Sequence, residues 1–126
     1  RRNRRRYRMK KKSQNYLQGD ICLVDFAPTI GDEITKIRPA VIISGNFTVG
    51  LDLKIVAPIT SWKPDFEKIW WLVRLDPDGE NGLDAPSAAN CYQMRCVSAS
   101  RIVKVIGHAA ELEEIIATAQ NCLEIV

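Results

Sequence analysis

From Gly19 to Ile106 the chain is a succession of short β-branched runs cut by turn residues, and this rhythm constrains the fold more than any other feature. The runs are ICLVDF (21–26), PAVIIS (39–44), LKIVAPIT (53–60), KIWWLVRL (68–75), NCYQMRCV (90–97) and RIVKVI (101–106). Val, Ile, Tyr and Trp suit a pleated, half-buried surface. The breakers between the runs are Pro28 with Gly31, Gly45-Asn46, Pro64-Asp65, and the stretch from Asp76 to Ser87. About five to six strands of this length and spacing predict a mainly β fold, a small barrel or curled sheet. After Gly107 the period changes, and Leu112, Ile115, Ile116, Ala119 and Leu123 recur at helical spacing. Glu111, Glu113 and Glu114 then fall where carboxylates favour the helix dipole. One C-terminal helix is expected to lay that apolar stripe on the sheet.

At 126 residues and 46% hydrophobic, the chain suits one core and leaves little room for a second. No stretch approaches the roughly 20 apolar residues of a membrane span, so a soluble, cytoplasmic protein is expected. The formal charge of +3 is misleading. Residues 1 to 12 carry nine Lys or Arg and no acid, which leaves nine bases against fifteen acids in the rest, a body of net −6. The expected organisation is a flexible basic leader (1–17), too like-charged to order itself, and one barrel domain (18–126). The leader reads equally as an arm that holds phosphates or as a solubilising extension. Charge alone does not make the body a nucleic-acid binder, because its overall field repels polyanions.

Cys22, Cys91, Cys96 and Cys122 form no C-x-x-C pair and read as reduced and mostly buried. With His108 as the only histidine, paired-imidazole catalysis and a His-rich zinc site are excluded. The acidic run DPDGENGLD (76–84) fails as an EF-hand, since its sixth and twelfth positions are Asn81 and Ser87; a polar hairpin loop accounts for it. His108 is expected at the start of the helix, without a role. Adjacent strand residues point to opposite faces, so one of Trp70 and Trp71 is expected in the core.

More informative is the loop GDEITKIRP (31–39), which places Asp32 and Glu33 beside Lys36 and Arg38. A residue before proline is held extended, so Arg38 is restricted at a loop-to-strand junction. A fixed guanidinium suits a phosphate through two parallel hydrogen bonds, although a salt bridge to Asp32 or Glu33 is the alternative. Thr60 and Ser61 end a strand with two hydroxyls able to donate to a phosphate oxygen. Gln93 and Arg95 alternate on a late strand and are expected to share one face.

Taken in order, Gly19-Asp20, GDEITKIRPAVI (31–42), PITS (58–61), YQMR (92–95), SR and IG within 100–107, and an amphipathic helix resemble the MazF/PemK family of toxin endoribonucleases. The resemblance covers roughly residues 18 to 124. It implies an SH3-like, CcdB/PemK-like curled β-barrel with a C-terminal helix, a homodimer, a cognate antitoxin partner, and cleavage of single-stranded RNA without a metal or other cofactor. It assigns catalysis to Arg38, Thr60 and Glu33, and RNA contacts to Asp32, Lys36, Ser61, Gln93 and Arg95. The chain departs from some relatives at Asn90 and Tyr92, where an Arg/Asp pair serves acid–base chemistry, and at Asp32, where some have His. The Arg/Thr form of the site is retained.

RNA supplies its own nucleophile, the 2′-hydroxyl, so a protein without a histidine pair can cleave it by positioning and charge stabilisation. Glu33, or secondarily Asp32, is expected to assist removal of the 2′ proton, while Arg38 stabilises charge on the phosphorus and Thr60 and Ser61 hold the phosphate. Two other readings remain open on the residues: a non-catalytic nucleic-acid-binding barrel, and a CcdB-like topoisomerase poison acting through its C-terminal helix. The end of the chain, Leu123 to Val126, lacks the aromatic terminus the latter would have.

Overall fold

The computed structural model describes residues 15–26, 37–48 and 50–124. Seven strands form one curled, antiparallel sheet: β1 (Asp20–Asp25), β2 (Ile37–Ile42), β3 (Leu53–Ser61), β4 (Leu72–Leu75), β5 (Ser87–Asn90), β6 (Arg95–Ser98) and β7 (Ile102–His108). Among the described residues a single α-helix, α1 (Leu112–Cys122), follows. The order across the sheet is β4-β5-β3-β2-β1-β7, with β6 also paired to β3. This is the mainly β, curled architecture with a C-terminal helix that the strand rhythm predicts, with one strand more than expected.

The extra strand comes from the run 90–97, which divides. Ile59 pairs with Ala89 and Val56 with Arg95, so three steps along β3 correspond to six along the opposing chain. The surplus is looped out as a 3-10 turn, Cys91–Gln93, in which the Asn90 side chain accepts a hydrogen bond from the Gln93 N–H (3.2 Å). An insertion of this kind bends a strand and re-aims its side chains. The run 68–75 shortens to β4 because the chain turns at Trp70 and Trp71. Those two rings therefore escape strand alternation. Trp70 is exposed and Trp71 half-buried, so neither enters the core.

Strand alternation divides the core into two faces. One holds Ile21, Val41, Ala57, Ile59, Val73, Leu75, Ala89 and Cys91, and α1 packs on it through Ile115 and Ala119. Leu123 lies past the helix end and is exposed, which trims the expected stripe. The other face, inside the curl, holds Cys22, Val24, Ala40, Ile42, Val56, Val97 and Ile102, with Tyr16 and Phe26 packed against it. Lys54 lies on this inner face at 1% exposure, opposite Val97, and its Nζ donates to the Thr48 carbonyl at 2.7 Å.

Two glycines permit the close approaches that shape the sheet's end. Gly19 sits at φ +94°, and a Cβ there would lie 2.6 Å from the His108 ring. At Gly107 a Cβ would meet the Asn81 backbone at 2.3 Å, which lets the 76–84 loop dock on β7. That loop is tied by its own side chains: Asp78 accepts from the N–H groups of Glu80 and Asn81, and the Asn81 amide donates to the Asp76 carbonyl. It is the polar hairpin loop expected, with the Asp78 carboxylate engaged in its turn. His108 ends β7 rather than starting the helix, with Nδ1 3.5 Å from Asp20 Oδ1.

All four cysteines are free. Cys22 and Cys91 are buried, Cys122 is half-buried and Cys96 is exposed, so burial is less general than composition implies. Burial pushes the Cys22 and Cys91 thiols up to about 12, assisted by Asp20 at the first and by Cys122 and Glu114 at the second. Neither thiol is an activated nucleophile.

Candidate functional site

Arg38 stands one position into β2, ahead of Pro39, and is exposed. It shares its face with Ala40 and Ile42, and hence with the inner core. β2 and β3 pair as Ile42–Val56, Val41–Ala57 and Ala40–Pro58. The ladder closes at Pro58, which has no N–H to give. Continuing the same register two positions places Arg38 opposite Thr60, on the same face. On its other side Arg38 pairs with Val24 of β1. No hydrogen bond or ion pair among the described residues engages the Arg38 guanidinium or the Thr60 hydroxyl. By this register the two donors share one face, and neither is engaged among the described residues.

Ser61 follows Thr60 in β3 and pairs with Ser87 of β5. Successive strand residues alternate, so Ser61 lies on the opposite face. By this alternation Thr60, rather than Ser61, is the hydroxyl on Arg38's face.

Gln93 is exposed in the looped-out turn between β5 and β6, and Arg95 opens β6 opposite Val56. They do not alternate on one strand as the run 90–97 implied, because the insertion intervenes. Arg95 nonetheless returns to the inner face, which it shares with buried Val97. The curl brings Phe26, just past β1, beneath it, with the Arg95 guanidinium carbon 5.1 Å from the ring centroid. Stacking of this kind orients the cation while leaving its hydrogen-bonding edge available. Beside Gln93, Tyr92 is exposed and packs its ring 5.4 Å from that of Trp71.

Asp32, Glu33 and Lys36 lie outside the described residues, as does most of the basic leader. Among the described residues no cluster of three or more His, Cys, Asp or Glu could hold a metal ion, and no helix is long and apolar enough to cross a membrane.

Sequence reasoning passed over one residue of the same face. Thr60 pairs with Ala88 of β5, and Ala88 pairs with Arg74 of β4. Arg38, Thr60, Ala88 and Arg74 therefore form one lateral row across four strands. Nothing local marks Arg74, since the row depends on the strand order β4-β5-β3-β2, which is not written in any one run.

The fold matches solved structures over most of its length. The Mycobacterium tuberculosis toxin MazF-mt6 superposes with a TM-score of 0.66 at 23% identity, covering 85% of this chain and 98% of that one. MazF from Deinococcus radiodurans gives 0.67 at 21% identity, over 86% and 96%. An endoribonuclease in complex with its cognate antitoxin from a mycobacterial species gives 0.66 at 15% identity, over 85% and 93%. No curated protein sequence matches significantly. The model of the PemK-like, MazF-like toxins of type II toxin–antitoxin systems matches residues 17–126. Covering nearly the whole chain, that match shows that the chain belongs to the PemK/MazF-like toxin family.

Proposed function

We propose that this toxin is an endoribonuclease that cleaves single-stranded RNA through the substrate's own 2′-hydroxyl, with the scissile phosphate seated between Arg38 and Thr60. The observation that carries the reading is the pair itself: a guanidinium and a hydroxyl that the β2–β3 register, extended two positions past Ala40–Pro58, sets on one face of adjacent strands, neither engaged among the described residues. A phosphate there accepts two parallel hydrogen bonds from Arg38 and one from Thr60. As the 2′-oxygen attacks, negative charge grows on the phosphoryl oxygens, and a preorganised cation stabilises that state more than the ground state. The 2′-oxygen–phosphorus bond forms as the phosphorus–5′-oxygen bond breaks, leaving a 2′,3′-cyclic phosphate and a 5′-hydroxyl. Glu33 is assigned the 2′ proton, with Asp32 the secondary choice, and Lys36 a flanking phosphate. Gln93 and Arg95 line the path beyond Thr60; Ser61, on the other face, serves at most the strand's exit.

The chemistry needs no bound metal, because nucleophile and leaving group both belong to the RNA and the charge falls on Arg38. A cognate antitoxin completes the system, by analogy with the complexed mycobacterial endoribonuclease, whose antitoxin was solved with it. An acidic antitoxin segment would compete for Arg38 and Arg95, so bound RNA and that segment should exclude one another. The working form is assigned as a cytoplasmic homodimer of the barrel domain (18–126), with the leader (1–17) as an accessory phosphate-binding arm.

The test is incubation of a long single-stranded RNA with the protein in excess chelator, followed by chemical mapping of fragment ends. Cyclic-phosphate and 5′-hydroxyl ends are expected. RNA recovered bound but intact, or cut only after divalent metal is restored, overturns the proposal.

A further inference from the structure

The row that carries Arg38 and Thr60 does not end at β3. It continues through Ala88 to Arg74, whose side chain is unusually well fixed for a surface arginine. Its Nε donates to Asp76 Oδ1 at 2.9 Å, and its guanidinium carbon sits 4.8 Å from the Trp62 ring centroid. Trp62 is itself braced edge-on by Phe66 at 5.6 Å. One edge of the fork is thus held by a carboxylate and one flat face by an indole. The two terminal nitrogens have no partner among the described residues, and the side chain is 43% exposed. A fork already oriented loses little further entropy on binding an anion.

An exposed Arg–Asp pair contributes little to stability, so folding alone gives no strong reason for this arrangement. Its position gives one. Two strand spacings separate Arg74 from Thr60, roughly 10 Å of sheet, too far for both to grip one phosphate and suited to a different phosphate of the same strand. We infer that Arg74, stacked on Trp62, binds a second backbone phosphate of single-stranded RNA, so that the strand crosses the sheet from β2 towards β4. The inference rests on the ribonuclease reading for its substrate, but not on cleavage having occurred.

The probe is a mixed-sequence, single-stranded 2′-fluoro RNA, which has no nucleophile and stays intact. Its affinity is measured against salt for wild type, Arg74→Gln and Arg74→Lys, alongside cleavage of ordinary RNA by wild type. Loss of one phosphate contact makes the plot of log affinity against log salt shallower by about 0.7. That change in Arg74→Gln, with the wild-type slope kept in Arg74→Lys, supports the inference. An unchanged slope in Arg74→Gln, or equal loss in both variants, overturns it, while cleavage of ordinary RNA by wild type leaves the ribonuclease reading standing. If wild type neither binds the probe nor cuts RNA, both fall. Thermal midpoints of the three proteins identify any loss that comes from unfolding.

Discussion

If Arg38 and Thr60 hold the same phosphate, removing one should change what the other is worth. Continuing the β2–β3 register puts them directly opposite, and side chains so placed have Cβ atoms about 4.5–5.5 Å apart. A phosphate can bridge that gap. Arg38→Ala deletes a charge-stabilising donor and is expected to slow cleavage roughly 100- to 1,000-fold. Thr60→Ala deletes one neutral donor to a charged oxygen, about 1.5–3 kcal/mol, or roughly 10- to 150-fold. Independent sites would multiply these losses in the double variant. Partners on one phosphate would not, because without Arg38 the phosphate is no longer held where Thr60 can reach it. The coupling expected for residues sharing a ligand is about 0.5–3 kcal/mol, so the double variant should be only a few-fold slower than Arg38→Ala. Single-turnover cleavage of one end-labelled RNA by all four proteins supplies the cycle. Arg38 is exposed and Thr60 half-buried at the rim of the inner face, outside both buried clusters, so the variants should keep the wild-type circular dichroism. Losses that multiply to within about 0.5 kcal/mol would refute the shared phosphate, and wild-type cutting by Arg38→Ala would remove the site altogether.

Ile115→Ala, at a fully buried contact between α1 and the sheet, should cost about 2–5 kcal/mol, read as a lowered urea midpoint with an unchanged slope. Stability should also decline in alkali. Cys22 and Cys91 are protonated when folded up to about pH 12, whereas an unfolded thiol ionises near pH 8.5. Their contribution is therefore intact below that lower value and is lost as pH rises towards the folded value. Denaturation curves at pH 8 and pH 10.5 check this, and Cys91→Ala should lessen the difference between them. Saturating the protein with an acidic antitoxin peptide should abolish RNA binding, and simultaneous occupancy would contradict the competitive scheme.

The strands were legible because β-branched runs between Pro and Gly breakers leave few alternatives, and α1 because Ile115 and Ala119 keep helical spacing on a chain that otherwise alternates. The strand positions of Arg38 and Thr60 were legible for a local reason too, since proline restricts the one and a turn follows the strand that carries the other, whereas their proposed roles came from the MazF/PemK resemblance. What escaped was set by pairing between distant segments. The run 90–97 looks like one strand, and only its register against β3 exposes the three surplus residues that put Gln93 in a turn. Lys54, within the run 53–60, is buried, and the Thr48 carbonyl accepts a hydrogen bond from its ammonium. Cys96 sits in an apolar run but lies opposite Ile55 on β3 and is exposed. Ser61 was grouped with Thr60 as a dipeptide, although the two-residue strand period separates them. Arg74 joined the row only once the strand order was known.

The most direct measurement replaces one ribose at the mapped cut position with 2′-deoxyribose and compares cleavage of the two oligonucleotides by the wild-type protein in chelator. The account predicts that the substituted strand still binds and is not cut at that bond, while the unmodified strand is. Cleavage of the deoxy-substituted bond at a comparable rate would mean that the nucleophile comes from elsewhere, and the role assigned to the Arg38–Thr60 pair would be wrong.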